Sequence, residues 1–283
     1  MSMSMSMSMR VASAWRAAMH QGLDRLDAQA LLGHVLGLGP ERVRAWLLAH
    51  DTDTLPIAAQ DAYQALVRRR VGGVPLAYLV GEKEFFGLAL QVSPDVLVPR
   101  PDTEIVVEWA LECLRPLKAP RVLDLGTGSG AIALAIKHRC PRAQVQALDA
   151  SADALAVACD NAALLRLDVG FVQSDWWSAV GGAPLHLAVS NPPYIAADDA
   201  HLAALRSEPL SALTPGGDGL DALRILASQA PRHLTAGGWL LLEHGHDQGA
   251  AVRALLQSAG FIGVGTRLDI ESRERCSGGR LPD

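Results

Sequence analysis

The sequence is poor in aromatic residues, lysine and cysteine, and it contains no long apolar run. Its four cysteines form neither a CxxC pair nor a Cys/His cluster with zinc-ligand spacing. This argues against a zinc site or a disulfide framework and favours a reduced protein of the cytoplasm. No apolar run reaches the roughly 18 residues that a membrane-spanning helix needs. We therefore expect a cytoplasmic protein without a metal and without a membrane segment.

Positive charge is also scarce. The chain has 25 lysines and arginines against 30 acidic residues, a formal net charge of -5. This balance argues against a general polyanion-binding surface, so we expect no direct contact with nucleic acid. Hydrophobic residues make up 49% of the chain, which is enough for a large buried core.

The amino-terminal third divides into three predicted segments. Residues 1–9 alternate methionine and serine and predict a disordered tail. Residues 10–74 carry apolar residues at helical spacing, which predicts a small helical domain. Because this domain precedes the main domain, we expect it to recognise a protein substrate. The apolar runs 78–80 and 85–92 predict extended segments, so we expect a bridging β-hairpin over 75–100. The domain boundary is predicted near residue 74.

From residue 101 onward, apolar runs alternate with amphipathic stretches. The predicted strands of this part are 121–125, 145–148, 169–172, 185–189 and 239–243, followed by a closing pair of strands from residue 263. This alternation is typical of a doubly wound α/β fold, so we predict a seven-stranded, mainly parallel sheet over 101–283. In such a sheet the first strand lies between the second and the fourth, and ligands bind beside it.

A glycine turn, Gly126 to Gly130, follows the first predicted strand. Its glycines let the backbone approach a ligand closely, and the helix that follows offers free N–H groups. Asp149 ends the second strand, where a carboxylate can accept hydrogen bonds from ribose hydroxyls. Asp175 and Trp176, after the third strand, suit an adenine amino group and ring. These features fit a dinucleotide as well as S-adenosylmethionine (AdoMet), and a core position remains the alternative for Trp176.

The acceptor loop, Asn191 to Tyr194, follows the fourth strand with the sequence NPPY. Neither proline can donate a backbone hydrogen bond. Asn191 Oδ1 and the Pro192 carbonyl are predicted to accept both N–H bonds of a planar amide or amine, and Tyr194 to stack on its face. Because this loop and the glycine turn end neighbouring strands, the sequence predicts methyl transfer from AdoMet to a planar nitrogen.

Several segments resemble those of known methyltransferases. DLGTGSG at 124–130 and NPPY at 191–194 are similar to class I AdoMet-dependent amino-N methyltransferases. Residues 98–104, 174–176 and 242–245, with the helical domain, resemble the release factor glutamine methyltransferase family (PrmC, also called HemK). The resemblance implies N5-methylation of the glutamine in the Gly-Gly-Gln motif of peptide chain release factors 1 and 2, with AdoMet as methyl donor. We expect the protein to act as a monomer.

Residue types and resemblance together predict two adjoining sites. The predicted AdoMet site is formed by Gly126, Thr127, Gly128, Ser129, Gly130, Asp149, Asp175, Trp176 and Asn191. The predicted glutamine site is formed by Asn191, Pro192, Pro193 and Tyr194, of which Asn191, Pro192 and Tyr194 are the catalytic candidates. Phe85, Phe86 and Arg100 are further candidates for the glutamine site. Hairpin core packing is the alternative for the phenylalanines, and an ion pair with Glu104 is the alternative for Arg100.

Three other functions remain open on the motifs alone. NPPY also serves adenine-N6 methyltransferases and ribosomal-protein glutamine methyltransferases, and a module could bind AdoMet without turnover. The net charge and the helical domain favour a protein substrate over a flipped base. The segment 100–104 favours release factors over ribosomal proteins. The residues 277–283 depart from the family ending, so the last strand is left open.

Overall fold

The computed structural model describes residues 9–283, which form two compact units that divide between Gly81 and Glu82. The predicted disordered tail lies outside the described residues except for Met9. Within residues 9–283, no helix is both long and apolar enough to cross a membrane.

The first unit is helical, as predicted. Its helices are α1 Val11–His20, α2 Arg25–Val35, α3 Pro40–Ala49, α4 Ile57–Val71 and α5 Leu76–Val80. The Asp24 carboxylate accepts the N–H of Asp27 at 2.8 Å and so caps α2. The buried Tyr63 hydroxyl donates to the Ala28 carbonyl at 2.9 Å, which joins α4 to α2 inside the core.

The end of this unit corrects the predicted boundary. Residues 78–80 are helical rather than extended, because Pro75 precedes a short helix that Gly81 terminates at φ +78°. Leu79 and Val80 pack with the apolar core of the helical unit. The boundary near residue 74 is therefore wrong, and the division falls after Gly81. An apolar run this short cannot be identified as helix or strand from periodicity.

The second unit begins with a hairpin that is shorter than predicted. Its strands are β1 Glu82–Phe85 and β2 Leu88–Gln91, paired antiparallel. The connecting residues Phe86 and Gly87 have φ of 51° and 82°, and positive φ at both positions is the signature of a type I′ turn.

A seven-stranded sheet follows in the described chain, as predicted. Its strands are β3 Arg121–Leu125, β4 Gln144–Asp149, β5 Gly170–Gln173, β6 Leu185–Ser190, β7 Leu234–Glu243, β8 Ile262–Leu268 and β9 Glu274–Arg280. The spatial order is β5-β4-β3-β6-β7-β9-β8, and only β9 runs antiparallel to its neighbours. β3 therefore lies between β4 and β6, as predicted for a doubly wound sheet. Ser277 to Arg280, left open by the sequence, form the end of β9.

Helices cover both faces of this sheet. They are α6 Glu104–Leu114, α7 Ala131–Arg139, α8 Ala152–Leu165, α9 Leu210–Leu213, α10 Asp221–Gln229 and α11 Gly249–Ser258. β3 and β6 are almost wholly buried, as expected for parallel strands between two helical layers. Leu125 pairs with Ser190 in register, so the residues that follow, Gly126 and Asn191, leave the sheet side by side.

Candidate active site

The glycine turn is fastened to the end of β4 by hydrogen bonds. The N–H groups of Gly126 and Thr127 both donate to the Leu148 carbonyl at 2.9 Å. The Gly128 N–H donates to Asp149 Oδ2 at 2.8 Å. Asp149 Oδ1 accepts the Ser151 N–H at 2.9 Å, so this carboxylate organises the turn and the start of α8. Each carboxylate oxygen has a further lone pair for a ligand hydroxyl.

The glycines of the turn differ in what a side chain at each position would contact. All have positive φ, at 72°, 55° and 84° for Gly126, Gly128 and Gly130. A Cβ on Gly130 would lie 2.9 Å from Leu134 Cδ1, so this glycine serves packing. A Cβ on Gly128 would meet no atom within 4 Å. The backbone of Gly128 is therefore the part of the turn that a ligand can approach.

A cavity of about 410 Å³ opens at this edge of the sheet, within the size range of small-molecule sites. It is lined by most of the predicted AdoMet-site residues: Gly126, Thr127, Gly128, Ser129, Asp149, Asp175, Trp176 and Asn191. Gly130 lies outside this lining. The lining also includes residues that were not among the predicted site residues: Pro94, Asp95, Val96, Leu97, Pro209, Ser211 and Ala212.

The two adjacent tryptophans have separate environments. Trp176 adopts φ 46° and is half-buried, and its ring edge would lie 3.4 Å from a Cβ on Gly126. Its indole is thus a wall of the cavity. Trp177 is buried in the core and stacks on His233 with ring centroids 4.8 Å apart.

Asn191 lines the cavity with one end of its carboxamide engaged. Its Nδ2 donates to Thr103 Oγ1 at 3.1 Å, so Oδ1 is the end that offers an acceptor to a ligand. Thr103 precedes α6, but its side chain makes no capping bond there and instead holds Asn191. Pro193 lines the cavity, whereas Pro192 is buried and lies outside the lining.

Tyr194 is not part of the cavity wall. Its hydroxyl donates to Glu243 Oε1 at 3.1 Å, and its ring packs against the apolar core. Burial raises the pKa of this phenol, and the nearby Glu243 raises it further. The Tyr194 carbonyl accepts the Gln248 side-chain amide at 2.9 Å, so both ends of the residue are held by the protein.

The hairpin candidates also lie outside the cavity lining. Phe85 is 1% exposed and belongs to the core of the second unit. Phe86 donates its backbone N–H to Glu104 Oε1 at 3.1 Å, and its ring lies under the Arg139 guanidinium. Arg100 pairs with the buried Glu208 rather than with Glu104, so the alternative ion pair had the wrong partner. Glu208 also accepts the Val98 N–H at 3.1 Å.

Comparison with known proteins adds to this geometry. The family model described as "Methyltransferase small domain" matches residues 105–259, and the one described as "PrmC N-terminal domain" matches residues 14–81. The release factor glutamine methyltransferase of Xylella fastidiosa is 52% identical over 269 residues, covering 94% of this chain and 96% of that protein. The enzyme of the same name from Bordetella pertussis is 52% identical over 263 residues, covering 92% and 96%. The chain belongs to the release factor glutamine methyltransferase family.

The fold agrees with that family assignment. A methyltransferase from Pyrococcus furiosus aligns with a TM-score of 0.54 at 18% identity, covering 78% of this chain and 98% of that one. Similarity at this identity shows the fold alone. The sheet order of the present chain is that of a class I methyltransferase.

Two buried side chains hold the glycine turn in place and were not among the predicted site residues. The first is Asp124. Asp124 Oδ2 accepts the Thr127 hydroxyl at 2.6 Å and the Ala133 N–H at 3.2 Å. Burial raises the pKa of Asp124 to about 7, against the influence of these two donors. The signal for such a role was a carboxylate between two leucines of a predicted buried strand.

The second brace is Asn161, on the buried face of α8. Its Nδ2 donates to the Ser129 carbonyl at 2.9 Å and to the Gln91 carbonyl at 3.0 Å. Its Oδ1 accepts the Gln91 N–H at 2.7 Å. A single fully buried amide thus joins β2 to the glycine turn. The signal for it was a polar residue on an apolar helical face.

Proposed function

We propose that this protein transfers a methyl group from AdoMet to the side-chain amide nitrogen (N5) of the glutamine in the Gly-Gly-Gln motif of release factors 1 and 2. The observation that carries the proposal is the juxtaposition of two half-sites in one cavity. The approachable backbone of Gly128 beside Asp149 forms one half, and the Asn191 carboxamide forms the other.

The first half-site has the chemistry that AdoMet requires. Asp149 has lone pairs left to accept ribose hydroxyls, and the Trp176 indole can cover a purine ring. Space over Gly128 admits the ligand close to the backbone. When bound, AdoMet supplies a sulfonium methyl group that can be attacked by a nucleophile. The chain contributes placement of that group and exclusion of water from it.

The second half-site suits a glutamine amide. An amide nitrogen is a poor nucleophile because its lone pair is delocalised into the carbonyl group. Asn191 Oδ1 accepts one N–H of the amide and favours the positive charge that develops on the nitrogen. The site holds that nitrogen in line with the methyl group. This orientation accelerates transfer, because the two groups react as if they were parts of one molecule. The surplus proton leaves the nitrogen after transfer, so no strong base is needed beforehand.

The choice of substrate is supported by the relatives. Both relatives described above are named release factor glutamine methyltransferases and are similar over almost their whole length. The helical first unit corresponds to the PrmC N-terminal domain and is our candidate for recognition of the release factor. We further propose that the protein acts as a monomer in the cytoplasm and makes no direct contact with nucleic acid.

Mass spectrometry of release factors tests the proposal. Purified release factors 1 and 2 are incubated separately with the protein and AdoMet, and the Gly-Gly-Gln peptide is examined for a gain of one methyl group. The matched control is a release factor with that glutamine replaced by alanine, which we expect to stay unmodified. An adenine-containing oligonucleotide is offered in parallel. Methylation of the oligonucleotide without methylation of the release factors would overturn the proposal.

A further inference from the structure

A buried carboxyl group lies beneath the acceptor loop and connects its two polar side chains. Glu243, the last residue of β7, is 1% exposed, and its Oε1 accepts the Tyr194 hydroxyl at 3.1 Å. The Thr103 hydroxyl is near this carboxyl group and lowers its pKa. Thr103 Oγ1 in turn accepts Asn191 Nδ2 at 3.1 Å. Asn191 and Tyr194 are therefore linked through Thr103 and Glu243, which together we call the relay.

The direction of the bonds in the relay follows from the chemistry of the donors. Asn191 Nδ2 can only donate, so Thr103 Oγ1 must accept from it, and the one proton of that hydroxyl is available for another acceptor. The Glu243 carboxyl group is the acceptor on that side. Its Oε2 is buried and makes no hydrogen bond with any residue between 9 and 283. Leaving a buried oxygen unpaired is costly, so the Thr103 proton is drawn toward it.

We propose that Thr103 and Glu243 are positioning residues that determine which end of the Asn191 carboxamide faces the acceptor nitrogen. The inference rests on the proposed function of Asn191. A carboxamide has nearly the same shape in its two flipped orientations, but only one presents an oxygen to a substrate N–H. In the other orientation Nδ2 faces that N–H, and two donors oppose each other. The relay prevents this by retaining the NH₂ group at Thr103.

The charge of Glu243 controls the strength of the relay. The polar and titratable groups that face it are Thr103, Tyr194, Asp102, Arg275 and Cys276. Burial raises the pKa of Glu243 to about 7; Thr103, Arg275 and Tyr194 oppose that rise, and Asp102 adds to it. Burial likewise raises the pKa of Cys276, which keeps this thiol neutral. As an anion Glu243 accepts from the Tyr194 hydroxyl and attracts the Thr103 proton, whereas as an acid it carries a proton of its own and attracts the Thr103 proton less.

Kinetics of a matched pair of variants tests the relay. Thr103→Val keeps the side-chain shape but removes both the acceptor for Asn191 and the donor for Glu243. Thr103→Ser keeps the hydroxyl. We expect Thr103→Val to lower kcat about tenfold, equivalent to about 1.4 kcal/mol, with AdoMet affinity by calorimetry changed less than about threefold. Thr103→Ser should stay within about twofold of the wild type. Wild-type kcat in Thr103→Val would overturn the inference.

A second measurement needs neither turnover nor AdoMet. In the ¹⁵N-labelled full-length protein, the side-chain NH₂ resonance of Asn191 is assigned by its loss in Asn191→Asp and followed from pH 5.5 to 8.5. We expect it to shift with a midpoint near pH 7 in the wild type, following the pKa of Glu243. Glu243→Gln and Thr103→Val should each abolish that shift. A wild-type resonance that does not move with pH would overturn the relay.

The two measurements separate this inference from the proposed function. If the wild type methylates no release factor, the proposed function fails, while the resonance still decides whether the relay holds Asn191. If the wild type methylates and Thr103→Val does so equally well, the relay fails and the function stands. Thermal unfolding of each variant shows that it is folded, and Thr103→Val carries the test alone if Glu243→Gln does not fold.

Discussion

Replacing Gly128 and Gly130 separately by alanine should separate ligand binding from folding within one turn. At Gly130 the new Cβ would lie 2.9 Å from Leu134 Cδ1 and 3.3 Å from Ala158 Cβ, at φ 84°. The left-handed backbone conformation of an alanine and the overpacking of its methyl group together lower the free energy of unfolding by about 2–5 kcal/mol. At Gly128, with φ 55° and no atom within 4 Å, only a strain of about 1–2 kcal/mol applies.

These costs translate into distinct measurements. A loss of about 1 kcal/mol lowers the Tm of a domain of this size by about 2–4 °C. Without ligand, we expect Gly130→Ala to unfold about 5–15 °C below the wild type, and Gly128→Ala only a few degrees below it. In calorimetric titration, Gly128→Ala should lose at least about tenfold in AdoMet affinity, or about 1.4 kcal/mol, because the methyl group occupies ligand space. Unchanged AdoMet binding by Gly128→Ala, or an unchanged Tm of Gly130→Ala, would refute the division of roles.

Three further predictions concern Asn191, Asp124 and Arg100. Asn191→Ala should lower the rate of methyl transfer to release factor at least about 100-fold, with AdoMet binding weakened but measurable by calorimetry, and turnover near the wild-type rate would contradict the acceptor role. Burial raises the pKa of Asp124 from 3.8 to about 7, so its contribution to stability is full below about pH 4 and is lost as pH rises through 7. Urea unfolding at pH 5 and 8 should therefore show a larger loss of stability with pH in the wild type than in Asp124→Asn, by about 2.5–3 kcal/mol, because the variant keeps the contribution of Glu243 but not that of Asp124. Equal pH dependence in the two proteins would rule out this carboxyl group as its source. Arg100→Met removes the cation paired with buried Glu208 and should cost about 1.5–3 kcal/mol in unfolding free energy without changing AdoMet affinity. A higher KM for release factor at unchanged stability would instead support the substrate-binding role predicted from the sequence.

The backbone of the site was predictable because strand order follows from the alternation of elements. Once β3 lies between β4 and β6, Gly126, Asp149 and Asn191 must meet at one edge. Side-chain partners were not predictable in this way. Thr103 and Glu243 both lie in segments that resemble the family, 98–104 and 242–245. Nothing in the sequence indicated that the two side chains are neighbours. The hydrogen-bond partner of the Tyr194 hydroxyl is 49 positions away in the sequence, and that of the Asn191 amide is 88 positions away.

The candidates that lie outside the cavity lining share one physical cause. A motif indicates which groups are present, but only packing decides which way each of them points. The Tyr194 ring was predicted to stack on the substrate amide, and its hydroxyl donates to Glu243. Arg100 was a candidate for the glutamine site, with an ion pair to Glu104 as the alternative, and it pairs with Glu208. Phe85 was a candidate for the glutamine site with core packing as the alternative, and its apolar ring is buried in the core.

The amide of Asn161 limits how this enzyme can change over evolutionary time. Both of its N–H groups and its oxygen are used, one side on the hairpin and the other on the glycine turn. Aspartate lacks the donors, leucine lacks every polar atom, and glutamine is one methylene too long for the same reach. A substitution at position 161 therefore disturbs two segments at once. The hairpin is thus tied to the glycine turn through one side chain, and replacing the hairpin alone would leave Asn161 without the Gln91 backbone.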